Sequence, residues 1–199
     1  MTTVSELKAS GQVWSLHEAI PHGMMLSSGF AELDQVLAGG FPAHTVIELQ
    51  SPLGIGEFRL LLPCLTRTSA RSLLLVFINP PLPISSQMLQ TAGISPEQVL
   101  FLHPANVQDA LWAAEQCLKS ACCGSVVLWQ PQLSIAQLKR LQLCALDGQA
   151  TLFMFRDQRQ HQLSLPLALS LQITPALQGV RVRVLKRRGA FLRHRYWSI

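Results

Sequence analysis

Five short, unbroken apolar runs alternate with helical patterns along most of this chain, and that alternation limits its fold more than any other feature. The runs are "TVIEL" (45–49), "SLLLVFI" (72–78), "VLFLH" (99–103), "SVVLW" (125–129) and "TLFMF" (151–155). Runs that are apolar at nearly every position suit strands buried on both faces, as in a parallel sheet covered by helices on each side. The helices between them carry their own signals. Asn106 and Asp109 frame one N-terminus; Val107, Ala110, Leu111, Ala114 and Leu118 share a face, and Gly124 follows the end. Ser134 and Gln137 form a capping box, with Leu133 and Leu138 at the staple positions around it. Leu138, Leu141 and Ala145 line the core face of that second helix, Lys139 and Arg140 point outward, and Asp147-Gly148 ends it.

After residue 160 the rhythm changes to strands alone, "LALSLQIT" (167–174), "VRVRVLKRR" (180–188) and "LRHRYWSI" (192–199). In "VRVRV" the alternation is strict, with Val180, Val182 and Val184 facing in and Arg181 and Arg183 facing out. The expected fold is a three-layer α/β/α domain, its mostly parallel sheet extended by C-terminal antiparallel strands. An arm at residues 1–24, with a capping box at Thr3 and Glu6, precedes a single core at 25–199.

Composition agrees with one well-buried domain. Apolar residues are 49% of the 199 and charged residues only 14%, which excludes disorder. No apolar run reaches the ~18 residues of a membrane span, and the first residues lack an apolar signal core. A cytoplasmic protein is expected. The five cysteines form no C-x-x-C pair, and the odd count argues against a disulfide framework. Cys117 and Cys144 read as small core residues, and Cys122-Cys123 is a vicinal pair with a minor redox reading. The histidines have no metal-ligand spacing, so no metal and no cofactor are expected.

Charge is unevenly placed. The net charge is +5, yet residues 181–199 hold seven Arg or Lys and no acid. Arg181, Arg183, Lys186, Arg187, Arg188, Arg193 and Arg195 are candidate contacts for a polyanion or an acidic protein. The alternative is a solvated edge strand kept soluble by charge. Lys139, Arg140, Arg156 and Arg159 are read as further contributors to this positive surface. Trp112 and Trp129 read as packing residues. Leu82 and Ile84, in a proline-rich run after a strand end, are candidate partner contacts.

One loop has the outline of a phosphate site without its chemistry. In "ELQSPLGIGEFRLLLP" a strand enters a loop with Gly54 and Gly56, and a helical pattern leaves it. Against the G-x-x-x-x-G-K-[ST] pattern, Ser51 stands for the first glycine, Glu57 for the lysine and Phe58 for the hydroxyl. Glu57 reverses the charge that neutralises a nucleotide. Two like charges ~4 Å apart cost about 4 kcal/mol at an effective dielectric of 20. Phe58 offers no oxygen to Mg²⁺. Ser51, Gly54, Gly56, Glu57 and Phe58 therefore form a degenerate nucleotide loop, or simply a strand–turn–helix corner.

The order of these features resembles the RecA recombinase core over about residues 25–199. "SSGFAELDQVLAGGFPAHTVIEL" resembles the lead-in to its phosphate loop. The resemblance implies a catalytic glutamate after "LLLVFIN", where Asn79, Pro80 and Pro81 stand, and a Mg²⁺-holding aspartate where "SVVLWQ" carries Trp129. It implies a γ-phosphate sensor where Asp157 falls. Lys186 and Arg188 fall where two lysines reach a neighbouring subunit's nucleotide. Within that superfamily, "GIGEFRLLLPCL", "ANVQDALWAAEQCLKSACCGSVVLW", "LKRLQL" and "RVRVLKRRG" resemble the ImuA family. That resemblance implies a non-catalytic accessory role in SOS-induced translesion DNA synthesis. The implied partners are an ImuB-like protein, an error-prone C-family polymerase and RecA. SulA, the SOS cell-division inhibitor that binds FtsZ, resembles the same helix–strand block and supplies the alternative. The link between "TLFMF" and the next strand is too short for a RecA-type DNA-binding loop, so DNA contact is expected only through the basic tail.

Overall fold

The computed structural model describes residues 24–130, 132–157, 166–177, 179–188 and 196–198. The expected arm, apart from Met24, lies outside them, as do Thr3, Glu6, Arg159, Arg193 and Arg195. A two-stranded antiparallel ribbon, β1 (Met25–Leu26) with β2 (Phe41–Pro42), flanks helix α1 (Ala31–Val36). There follow β3 (Val46–Gln50), a 3₁₀ turn (Glu57–Leu60), α2 (Leu62–Ser69), β4 (Leu74–Ile78), α3 (Ser86–Thr91) and β5 (Val99–Leu102). Then come α4 (Val107–Lys119), β6 (Cys123–Trp129), α5 (Ile135–Asp147) and β7 (Thr151–Arg156). The chain closes with β8 (Leu169–Pro175), β9 (Val180–Arg187) and β10 (Tyr196–Ser198). The main sheet has eight strands in the order β10-β9-β8-β3-β7-β6-β4-β5. It is parallel from β8 to β5 and antiparallel across β8-β9-β10. This is the expected three-layer α/β/α architecture.

Caps behave as their chemistry dictates. The Asn106 side chain accepts from the Asp109 amide at 2.9 Å, and Ser134 and Gln137 close a reciprocal capping box. α4 stops at Lys119, and Gly124 is not its terminator but the second residue of β6. A Cβ there would stand 2.2 Å from the Thr68 methyl of α2, so the glycine is needed for close helix–sheet approach.

Strand alternation sorts the core into two faces. Ile47, Leu49, Leu75, Phe77, Phe153 and Phe155 pack under α1 and α2. Val46, Val76, Ile78, Leu152 and Met154 pack under α4 and α5. The antiparallel extension differs. Leu169, Leu171, Ile173, Val180, Val182 and Val184 all join the first face. On the second face, the register brings Ser170, Gln172 and Thr174 of β8 beside Lys186, Arg183 and Arg181 of β9. β10 is pinned by Trp197, whose ring lies 5.1 Å from that of Phe30 and whose Nε1 donates to Glu32 at 3.0 Å. β5, at the far edge, is not buried on both faces as its apolar run suggests; Leu100 and Phe101 are exposed. The reason is position, since an edge strand has only one neighbour. Among the described residues no helix is long and apolar enough to cross a membrane.

Candidate functional site

β3 and β4 are consecutive in the chain but separated by β7 and β6 in the sheet. The helix joining them, α2, lies on the first face, whereas α4 and α5 lie on the second. Such a change of side places the binding crevice of a doubly wound sheet at the carboxyl ends of its strands. The degenerate loop sits there. Gly54 and Gly56 have φ of 79° and 90°, a conformation that glycine adopts without strain. Glu57 does not project into the crevice. It is buried, and its carboxylate turns back to accept from the Gly54 amide at 3.3 Å and the Ile55 amide at 3.0 Å. Backbone amides of such a loop are the donors that hold a phosphate in a working site. Here the chain supplies its own anion.

The space beside the loop is filled by rings. Phe58 lies edge-on to Phe77 at 5.6 Å and 6.4 Å from Trp129, which stacks on Phe155 at 5.2 Å. Phe101 stacks on Phe77 at 5.2 Å. Trp129 is thus a packing residue, as expected. Trp112 is not: it is 63% exposed on α4. Ser51 is buried, its hydroxyl donating to the Pro52 carbonyl at 2.8 Å. No group of three or more acidic, histidine or cysteine side chains is placed to hold a metal among the described residues.

Leu82 is 56% exposed, while Ile84 is half-buried against the first-face core and anchors the loop. Leu53, in the degenerate loop itself, is 57% exposed at the same end of the sheet and was not singled out from the sequence. The adjacent cysteines diverge, Cys122 exposed and Cys123 buried. The partner of Cys123 is Cys117, which is half-buried rather than core; a hydrogen bond from that thiol lowers the Cys123 pKa, against burial.

The positive surface is redistributed. Arg156 does not belong to it, being buried at the end of β7 with Nη1 donating to the equally buried Glu48 carboxylate. Ser170 Oγ at 2.5 Å and Gln50 Nε2 at 3.0 Å also donate to that carboxylate. Arg140 is exposed but bridged to Glu115 of α4 at 2.7 Å. The Lys186-Arg187-Arg188 run is split. Arg187 reaches the Ala38 carbonyl at 3.5 Å, while Lys186 and Arg188 line a groove shared with α5. Near the entry ribbon, Asp34 accepts from Ser27 Oγ at 2.6 Å and from the Ser28 amide and hydroxyl at 2.8 and 2.6 Å. Burial works against its charge, but these hydrogen bonds prevail and hold its pKa below the usual value.

Residues 46–152, just over half of the chain, match the family described as cell division inhibitor SulA. The chain belongs to the SulA family. The SulA protein of Photorhabdus laumondii is 30% identical over 100 residues, covering 50% of this chain and 56% of that protein. RecA proteins are also similar. That of Picosynechococcus is 26% identical over 103 residues, 52% of this chain and 30% of the relative. That of Leptospira biflexa is 26% identical over 105 residues, 52% of this chain and 27% of the relative. The matched stretch thus spans about a third or less of the RecA relatives and just over half of the SulA relative. This SulA-family chain stands in a general relation to the RecA superfamily, and its lead-in and β8–β10 lie outside the matched segment.

Proposed function

We propose that this chain is a catalytically silent RecA-like module that works by binding other proteins in the response to DNA damage. The observation that carries the proposal is the Glu57 carboxylate, held by the two loop amides that a nucleotide phosphate would need. Tight Mg-ATP binding requires expelling that carboxylate, and the ring cluster supplies no ligand for the metal. A ligand at 100 times its Kd stabilises a protein by about 2.7 kcal/mol, a visible melting shift. The purified chain is expected to show no shift in millimolar Mg-ATP and no turnover. A clear shift with hydrolysis overturns the proposal.

For the target, family membership favours division inhibition, with a polymerising FtsZ-type division protein as the partner. Overproduction then produces filamentous cells, and the purified chain lowers the amount of FtsZ polymer that sediments. A second reading, an accessory role in translesion synthesis with ImuB-like, C-family polymerase and RecA partners, is favoured by a different observation. The lead-in ribbon and β8–β10 are folded onto the domain yet fall outside the SulA match. On that reading deletion lowers damage-induced mutation frequency, and overproduction leaves cell length unchanged. Normal cell length with unchanged FtsZ polymer sinks the first target; unchanged mutation frequency sinks the second.

A further inference from the structure

We infer that Cys117 and Cys123 form an oxidisable dithiol, a site at which a peroxide closes a disulfide between the last turn of α4 and the first residue of β6. The sequence draws the eye to the vicinal pair Cys122-Cys123, but successive residues of an extended chain point to opposite sides. Cys122 is exposed, whereas Cys123 is 4% exposed. The thiol that meets Cys123 comes instead from the helix. Cys117, half-buried, donates a hydrogen bond to the Cys123 sulfur. The link between the two is short and pinned. Ser120 Oγ lies 2.8 Å from the Cys117 carbonyl oxygen and 3.5 Å from Cys123 Sγ, and it accepts from the Cys122 amide at 3.2 Å. Ala121 turns the chain with a φ of 57°. The Leu74 amide of β4 then donates to the Cys122 carbonyl at 2.9 Å, which ties the entry of β6 to the sheet.

This contact supplies what a dithiol site needs, a thiolate and a second thiol beside it. The hydrogen bond from Cys117 lowers the Cys123 pKa to about 6, against burial, and the Ser120 hydroxyl acts in the same sense. Cys117 keeps the proton that it donates. Peroxide is little larger than water, and the pair meets solvent at half-buried Cys117. The Cys123 thiolate attacks one peroxide oxygen, the O–O bond breaks, and hydroxide leaves and takes a proton from solvent. The product is a sulfenic acid. The Cys117 sulfur then attacks the Cys123 sulfur, the S–O bond breaks, and the thiol proton leaves with the hydroxyl as water. Two thiols and one peroxide thus become one disulfide and two waters. The other buried thiols are placed differently. Cys64 sits in the first-face core, where burial pushes its pKa up to about 12, and burial raises that of Cys144 as well. Two sulfurs and a hydroxyl are too few for a structural metal site, which takes four ligands.

The test is treatment of the reduced, purified full-length chain with excess hydrogen peroxide, followed by alkylation in denaturant and tryptic mapping. Trypsin cuts after Lys119 and so separates Cys117 from Cys122 and Cys123. The free thiols are expected to fall from five to three, with the peptides on either side of Lys119 joined. Dithiothreitol restores all five. Cys122→Ser forms the same link, which assigns it to Cys123, and Cys117→Ser forms none. The link forms at least about ten-fold faster in the folded chain than in urea, because the fold holds the two sulfurs together. Melting curves establish that each variant is folded. The unaltered chain and Cys122→Ser, changed only at an exposed side chain, keep the site testable if Cys117→Ser does not fold. None of these readouts involves a partner protein, so the site stands or falls apart from the proposed function. Five free thiols after peroxide, loss of the link in Cys122→Ser, or an equal rate in urea overturns the inference.

Discussion

The two ends of this sheet use charge in opposite ways. At the carboxyl ends of the parallel strands, Glu57 folds back on its own loop amides. Glu48 and Arg156 neutralise one another within the sheet. At the other end, Lys139, Lys186 and Arg188 gather around an open groove. Charges paired internally stabilise the fold and close the crevice; the groove instead sets cations beside the exposed Leu143 and Leu146.

The largest test of this contrast is Arg156→Met. It strands the Glu48 carboxylate inside the sheet, and breaking a buried pair from one side costs about 3–5 kcal/mol. Urea unfolding is expected to show that loss. Replacing both partners with apolar residues of similar size is expected to recover most of it; a small effect of the single change places Arg156 in solution and restores it to the positive surface.

Glu57→Ala comes next. It leaves the Gly54 and Ile55 amides without their charged acceptor, and loss of such bonds costs about 1–3 kcal/mol. Glu57→Gln, which keeps an acceptor of the same length, should retain more stability. Equal melting temperatures for all three proteins would mean that the loop does not depend on its internal anion.

Asp34 gives a pH signature. Its folded pKa lies below the ordinary carboxyl value of 3.8, so the unfolded chain binds more protons across that interval. The stabilisation is present above pH 3.8 and is lost as pH falls through the folded value. Asp34→Asn should flatten that part of the stability–pH curve, measured by thermal melts between pH 5 and 2.5.

The smallest effect belongs to the groove. Arg188→Ala should change stability by well under about 1 kcal/mol, the usual scale for an exposed charge, and half-buried Lys186→Ala by somewhat more. A larger loss would mean that these cations, like Arg156, serve the fold.

Much of the fold is legible without coordinates because its signals are local. Continuous apolar runs gave β3, β4, β6 and β7, and side chains that bond their own helix marked the starts of α4 and α5. The same local logic misplaces Trp112 in the core and Gly124 at a helix end. Both depend on which element lies opposite, which spacing along the chain does not encode. The degenerate loop was recognisable from Glu57 and Phe58. Where the carboxylate goes was not, because a like-charge argument shows only that phosphate is disfavoured.

The sequence by itself determined the layer architecture, the hairpin extension and the loss of the loop's lysine and hydroxyl, since periodicity and residue chemistry act over a few positions. Only the tertiary structure decided which charges are buried in pairs and which line a groove. Arg156 is indistinguishable from a surface arginine until β3 brings Glu48 beside it from 108 residues away. Lys186, Arg187 and Arg188 are one basic run until the strand sends Arg187 to one side and the other two to the opposite side, and a single extra residue, Leu185, aligns Lys186 with Arg183. Strand pairing is a non-local choice, and a one-residue slip in it exchanges the faces of every side chain that follows.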